Sequence, residues 1–170
     1  MNARDTAACL ETATPESFRS AMALWASGVT VVTTADALGR PQGFTASAFC
    51  SASMEPPLVL VCLTRSAACF QAFAESDAFA VHVLGERQQE LAARFARKGA
   101  DKFAGLATTS GVDGVPLLPD VLARLECRTV DRLAVGDHLA LLGEVADAAT
   151  GDGEPLLYYR RAFQQARRHS

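Results

Sequence analysis

Long apolar runs are missing from this chain. None exceeds six residues, the length of Leu58–Leu63, far short of the ~18 that a membrane-spanning helix requires. An excess of positive charge is missing too. Sixteen basic against nineteen acidic side chains leave a net charge of −3, without the broad positive field that non-specific nucleic-acid binding uses. We therefore expect neither a membrane span nor a nucleic-acid partner. Cysteine is scarce and scattered: Cys9, Cys50, Cys62, Cys69 and Cys127 form no C-x-x-C pair, and His82, His138 and His169 stand far apart. Zinc sites want close ligand pairs, so no metal is expected. The start has one Arg and no apolar core of secretory length, which adds to the expectation of a reduced, cytoplasmic protein with its cysteines buried as small apolar residues. No G-x-G-x-x-G follows a strand, which removes the Rossmann way of holding a dinucleotide.

What is present reads as one domain. The 170 residues, 49% hydrophobic and 21% charged, suit a single globular core without a staple. Residues 1–14 read as a flexible lead-in and 15–166 as the domain. Thr14-Pro15-Glu16 opens a helix, with Thr14 as N-cap and Pro15 in the first turn. Phe18, Met22 and Trp25 recur on one helical face up to Gly28. From Val29 the chain is β-branched, and Ala37–Pro41 punctuates a hairpin whose second strand starts at Gln42. Pro56-Pro57 precedes Leu58–Leu63, a strand apolar on both faces. A short helix over Ser66–Glu75, a strand over Ala78–Leu84 and a helix over Glu86–Arg97 follow, the last with Glu90 and Arg94 at ion-pair spacing. Gly99–Asp120 is loop-rich, and three late strands fall near 121–131, 138–147 and 156–160. Sequence-adjacent strands joined by short turns favour an antiparallel barrel with helices outside it over a βαβ sheet.

The stretch most suggestive of chemistry is Gly43 to Pro57, where nearly every side chain is small. If it stays extended, Thr45, Ser47, Ser51 and Ser53 share one face, and Ala46, Ala48, Cys50 and Ala52 the other. The hydroxyl track is then roughly 26 Å long, which suits a flat, elongated ligand and equally suits an unremarked Ser/Ala-rich edge strand. Thr64-Arg65-Ser66, between a strand and a helix, offers free N–H groups, a hydroxyl and a cation to a phosphate; the plainer reading is a helix cap beside a solvated Arg. His138, after Gly136-Asp137, either completes a turn or faces a pocket, whereas His82 within a strand reads as structural. Asp101-Lys102-Phe103 and Tyr158-Tyr159-Arg160-Arg161 place aromatics beside cations.

Taken in order, several tracts resemble the short-chain flavin reductases of the FMN-binding split-barrel superfamily, the reductase components of two-component flavin-dependent monooxygenases such as 4-hydroxyphenylacetate 3-monooxygenase. The matching pieces are Ala26–Thr34, Gly43-Phe44-Thr45-Ala46-Ser47-Ala48-Phe49, Ser51-Ala52-Ser53, Pro56–Val59, Ser66, Phe79–Leu84, Phe95-Ala96, Gly136-Asp137-His138 and Pro155–Arg160. The resemblance implies a mainly β, antiparallel split barrel with flanking helices, acting as a homodimer. It implies FMN or FAD as cofactor, NADH or NADPH as reductant, and a flavin-dependent monooxygenase as the partner that takes the reduced flavin. By the same resemblance, Phe44, Thr45, Ala46 and Ser47 line the flavin ring, Ser51, Ala52 and Ser53 continue that wall, and Thr64, Arg65 and Ser66 hold the phosphate. Lys102 and Phe103 approach the flavin, His138 lies where the nicotinamide stacks, and Tyr159 and Arg160 lie near the pyridine nucleotide. Many relatives carry Asn where this chain has Ser47. The same tracts also fit a same-fold reductase of a corrinoid or ferric chelate, or a flavin-binding electron carrier without NAD(P)H turnover.

Overall fold

The computed structural model describes residues 12–99 and 101–166. Helix α1 spans Pro15–Met22, and strands β1 (Ser27–Gly28), β2 (Thr30–Ala35), β3 (Pro41–Ala46), β4 (Phe49–Met54) and β5 (Pro57–Thr64) follow. After α2 (Phe70–Glu75) come β6 (Ala78–Val83), α3 (Gln89–Ala96), the short β7 (Thr109–Ser110) and β8 (Pro116–Leu117), and two long strands, β9 (Ala123–Val135) and β10 (His138–Thr150). A hairpin of β11 (Leu156–Tyr159) and β12 (Ala162–Gln165) ends the described chain.

Seven strands form one antiparallel sheet in the order β3-β2-β6-β9-β10-β5-β4. Its two edge strands, β3 and β4, are separated in sequence by Ser47 and Ala48 alone. The sheet must therefore curl until its ends nearly meet; the Cys62 N–H donates to the Ala48 carbonyl (3.0 Å), which continues the β4–β5 pairing up to that joint. The result is a barrel with a split. Its interior is filled by Val32, Val59, Val61, Leu63, Phe79, Val81 and Leu141, each large apolar side chain worth ~1.5–3 kcal/mol when fully buried. Phe73 of α2 closes one end, edge-on to Phe44 at 5.0 Å. Gly143 is required by that packing, because a Cβ there would lie 2.4 Å from Cζ of Phe79. Outside the barrel a second cluster joins Val29, Val31 and Leu84 to Ala92 and Phe95 of α3.

His82 is structural, as its place in a strand suggests. Fully buried, it donates through Nδ1 to the Val31 carbonyl (3.1 Å) and accepts at Nε2 from the Leu118 N–H (3.1 Å). Burial pushes its pKa down to about 4.

The hairpin at Ala37–Pro41 and the late strands stand near their expected places, but several expectations need correction. The first helix stops at Met22, six residues before Gly28, and none of its residues is buried. Phe18 is 62% and Trp25 70% exposed, because no other part of the described chain covers that face. Strand β5 buries one face only, through Val59, Val61 and Leu63. The helix expected over Ser66–Glu75 begins at Phe70. Arg94 donates to the Ala104 carbonyl and makes no ion pair with Glu90 among the described residues. Cys69 and Cys127 are buried, but Cys50 is exposed and Cys62 only half-buried. Cys9 and His169 lie outside the described residues, and β12 has no counterpart in the sequence reading.

Candidate flavin site

A cavity of about 280 Å³ opens at the split of the barrel. One wall is the end of β3 and the turn after it: Phe44, Thr45, Ala46, Ser47 and Ala48. The facing wall is the end of β5 and the approach to α2, with Cys62, Thr64 and Cys69. Arg97, Lys98, Lys102 and His138 complete the lining. The small side chains beyond Phe44 let a ligand approach the backbone, and the cations give the pocket a positive margin in a chain of net charge −3. Among the described residues no group of three His, Cys, Asp or Glu could hold a metal ion.

Several of these groups are held by internal bonds. The Thr45 hydroxyl donates to the Ala92 carbonyl (2.6 Å), so it ties β3 to α3 and leaves only its lone pairs for a ligand. Lys102 donates to the carbonyls of Gly43 (3.0 Å) and Phe95 (2.8 Å), which bridges β3 to the C-terminal end of α3 and fits the favourable placing of a cation there. Burial lowers the Lys102 pKa. Close packing supports this bridge: a Cβ on Gly43 would stand 2.8 Å from the Phe95 ring. His138 Nδ1 lies 2.7 Å from an Asp137 carboxylate oxygen, and that hydrogen bond, with the histidine's charge, holds the Asp137 carboxyl below its ordinary range. The bond fixes the ring and leaves Nε2 as its second polar atom. The Cys62 and Cys69 thiols are pushed up, mainly by burial, which keeps them protonated and unreactive near neutral pH.

The sequence-derived residues divide into two groups. Phe44, Thr45, Ala46, Ser47, Thr64, Lys102 and His138 meet in the cavity. Ser51, Ala52 and Ser53 do not line it; they stand on β4, with Ser51 and Ala52 exposed. The extended track expected over 45–53 is broken twice, by the bend at Ser47–Ala48 and by an irregularity in β4–β5 pairing between Ser51 and Ser53. Shared parity therefore does not carry the four hydroxyls to one face. Arg65 and Ser66 flank Thr64 on the surface. Because α2 starts at Phe70, Ser66 is no helix cap: its N–H donates to the Thr64 hydroxyl (3.4 Å), and the two hydroxyls lie 3.2 Å apart. Phe103 packs edge-on against Phe95 at 5.0 Å, behind the cavity wall.

Tyr159 and Arg160 sit beside a second hollow, about 470 Å³, which shares Thr45, Ala46 and Ser47 with the first and is also lined by Tyr158, Arg161 and Phe163. Arg160 stacks over the Tyr159 ring at 5.4 Å. Arg160 and Arg161 form the two-residue turn of the β11–β12 hairpin with φ of 50° and 61°. Such a turn needs positive φ at both positions, and a side chain in that region costs roughly 1–3 kcal/mol. Sequence reasoning missed Arg97 and Lys98 as cavity residues, although two adjacent cations after a helix end were visible as a signal.

The family described as flavin reductase like domain matches residues 22–167. The chain belongs to that family. It is 49% identical over 153 residues to the NADH:riboflavin 5'-phosphate oxidoreductase of Streptomyces pristinaespiralis, covering 88% of this chain and 86% of that one. It is 44% identical to the reductase component of 4-nitrophenol 4-monooxygenase/4-nitrocatechol 2-monooxygenase of Rhodococcus opacus, over 86% and 78% of the two chains. Among solved structures it resembles the NADH:FAD oxidoreductase SgcE6 of Streptomyces globisporus C-1027, determined in complex with NAD and FAD fragments. That likeness has a TM-score of 0.82 at 34% identity and covers 94% of this chain and 97% of that one. The fold is accordingly the flavin reductase split barrel, as the resemblance implied.

Proposed function

We propose that this chain is an NAD(P)H-dependent flavin reductase that reduces FMN or FAD and releases the product to a flavin-dependent monooxygenase. The observation that carries the reading is the cavity at the split. Its walls are small, its margin is cationic, and a second hollow adjoins it along Thr45–Ser47. The donor set fits a flavin: Arg97 and Lys98 suit its phosphate, and Ser47 and nearby backbone suit its ring edge. When bound, the flavin supplies the redox chemistry. Held by Ser47, Arg97 and Lys98, it would accept a hydride, two electrons with one proton, from a dihydronicotinamide and a second proton from solvent.

The chain's own residues hold the two rings face to face and keep the site dry. Orientation of this kind removes ~7–11 kcal/mol from a bimolecular barrier at its upper limit. Lys102, partly buried, is the cation best placed to balance negative charge that develops on reduction. His138, hydrogen-bonded to Asp137, lines the flavin cavity and is the polar side chain there that a nicotinamide stacked on the flavin would meet. Tyr159, Arg160 and Arg161 border the hollow assigned to the reductant. Thr64, Arg65 and Ser66 extend the polar margin, and Ser51, Ala52 and Ser53 extend the wall along β4. Phe103 supports the site through Phe95.

The reading includes a homodimer in the cytoplasm, with residues 15–166 as the working unit. Exposed Phe18, Trp25, Leu133 and Val135 offer apolar surface for a second copy. The test is to mix purified protein with NADH or NADPH and excess FMN, FAD or riboflavin. Loss of nicotinamide absorbance in proportion to added free flavin supports the reading. Oxidation limited to one equivalent per chain would indicate an electron carrier, and turnover only with a corrinoid or ferric chelate a different acceptor.

A further inference from the structure

Part of the wall that faces Thr45–Ala48 across the flavin cavity comes from Ala67, Ala68 and Cys69, on the approach to α2. That stretch has little to hold itself in place. Helix α2 has six residues, and no side chain caps its start. So short a helix is unstable by itself, and its last carbonyls find no partner within it. Contacts from elsewhere in the fold must fix this wall. Phe73 makes one, buried edge-on against Phe44.

The β9–β10 hairpin makes two more, one at each end of the segment. At its start the Arg65 N–H donates to the Asp137 carbonyl in the hairpin turn (2.9 Å). At its end Arg132 of β9 reaches α2: Nε donates to the Phe73 carbonyl (3.3 Å), and a terminal guanidinium nitrogen to the Ser76 carbonyl. Arg132 pairs with Leu141, which is buried in the barrel, so its stem leaves β9 on the inner face. The carbonyl end of a helix favours a cation, and the planar fork of arginine can serve two carbonyls at once. Thr129 holds only the turn after the helix, through its hydroxyl to the Ser76 carbonyl (3.2 Å) and its N–H to the Asp77 carbonyl (2.8 Å).

We propose that Arg132 is a positioning residue for the flavin: by holding the carbonyl end of α2 it fixes the Ala67–Cys69 wall and so the width of the cavity. It does not itself line that cavity. The inference rests on the flavin reading of the site. No residue of α2 or its approach borders the second hollow, assigned to the reductant, so the effect belongs to the flavin alone.

The test compares Arg132→Met, Arg132→Lys and Thr129→Val with the native chain. Arg132→Met should raise the Kd for FMN about tenfold, the scale of one lost charge-assisted contact, read from quenching of flavin fluorescence. It should speed hydrogen exchange over residues 70–76 and leave the KM for NADH within about twofold. Arg132→Lys, which keeps the charge without the fork, should recover about half of the loss on a logarithmic scale. Thr129→Val lowers the melting temperature without loosening the helix, and its FMN affinity should stay native. The proposal is overturned if both Arg132 variants bind FMN as the native chain does, if the KM for NADH rises in step with the Kd for FMN, or if Thr129→Val weakens FMN equally. If Arg132→Met does not fold, Arg132→Lys decides by the same readings. A native chain that neither binds nor reduces flavin would instead overturn the flavin reading itself.

Discussion

The barrel interior and the split beside it are made from the same strands, yet one is closed and the other open. Inside, Phe79 fills the space that Gly143 leaves, and Phe44 meets Phe73 edge to face. Immediately after Phe44 the chain offers nothing larger than Thr45, Ala46, Ser47 and Ala48, and the sheet stays parted there. Side-chain volume separates the two regions, since β3 runs through both. Large apolar groups supply cohesion, and their absence over four residues leaves a site.

Substitutions that exchange these properties test the contrast. Phe79→Ala should be the most damaging, at about 3–5 kcal/mol of stability, read from the denaturant midpoint; any folded fraction should keep its flavin affinity. A loss of affinity with little loss of stability would break the contrast. Acid should come next. The folded-state pKa of His82, about 4, lies below its unfolded value near 6.5, so the unfolded chain binds the extra proton. Its contribution is therefore complete above pH 6.5 and lost as pH falls towards 4, about 3 kcal/mol in all. Equilibrium unfolding across that range should show it, and a flat profile would contradict the sealed environment of the ring. Ser47→Trp, at an exposed position lining both hollows, should leave the melting temperature unchanged and weaken flavin binding at least tenfold, about 1.4 kcal/mol. The smallest effect should come from Ser51→Val with Ser53→Val, about twofold to threefold in flavin affinity, since Ser51 is exposed, Ser53 half-buried and neither lines the cavity. Unchanged affinity there would confine the site to the cavity and exclude β4.

Local chemistry decided which parts were legible in the sequence. The β2–β3 hairpin could be read because its turn is self-contained: Asp36 accepts from the N–H groups of Leu38 and Arg40 and pairs with the Arg40 guanidinium. The core strands showed in their β-branched residues. The bend at Ser47–Ala48 did not show, because small residues are as much at ease in a strand as in a turn and no Gly or Pro marks it. The start of α2 was misplaced because Thr64 and Ser66 bond to each other rather than to a helix end. Lys102 was found, but its two carbonyl partners, 59 and 7 residues away, depend on tertiary structure. Arg97 and Lys98 are visible in the sequence as cations, but spacing cannot assign them to a pocket, and only the fold sets them on the cavity wall.

One consequence follows from the sheet's edge strands being neighbours in the chain. The two-residue link at Ser47–Ala48 joins them directly, so an added residue there would lengthen the rim of the mouth while the strand pairings on either side keep their register. Ligand size could thus be adjusted at a single joint, without redesigning the barrel that carries it.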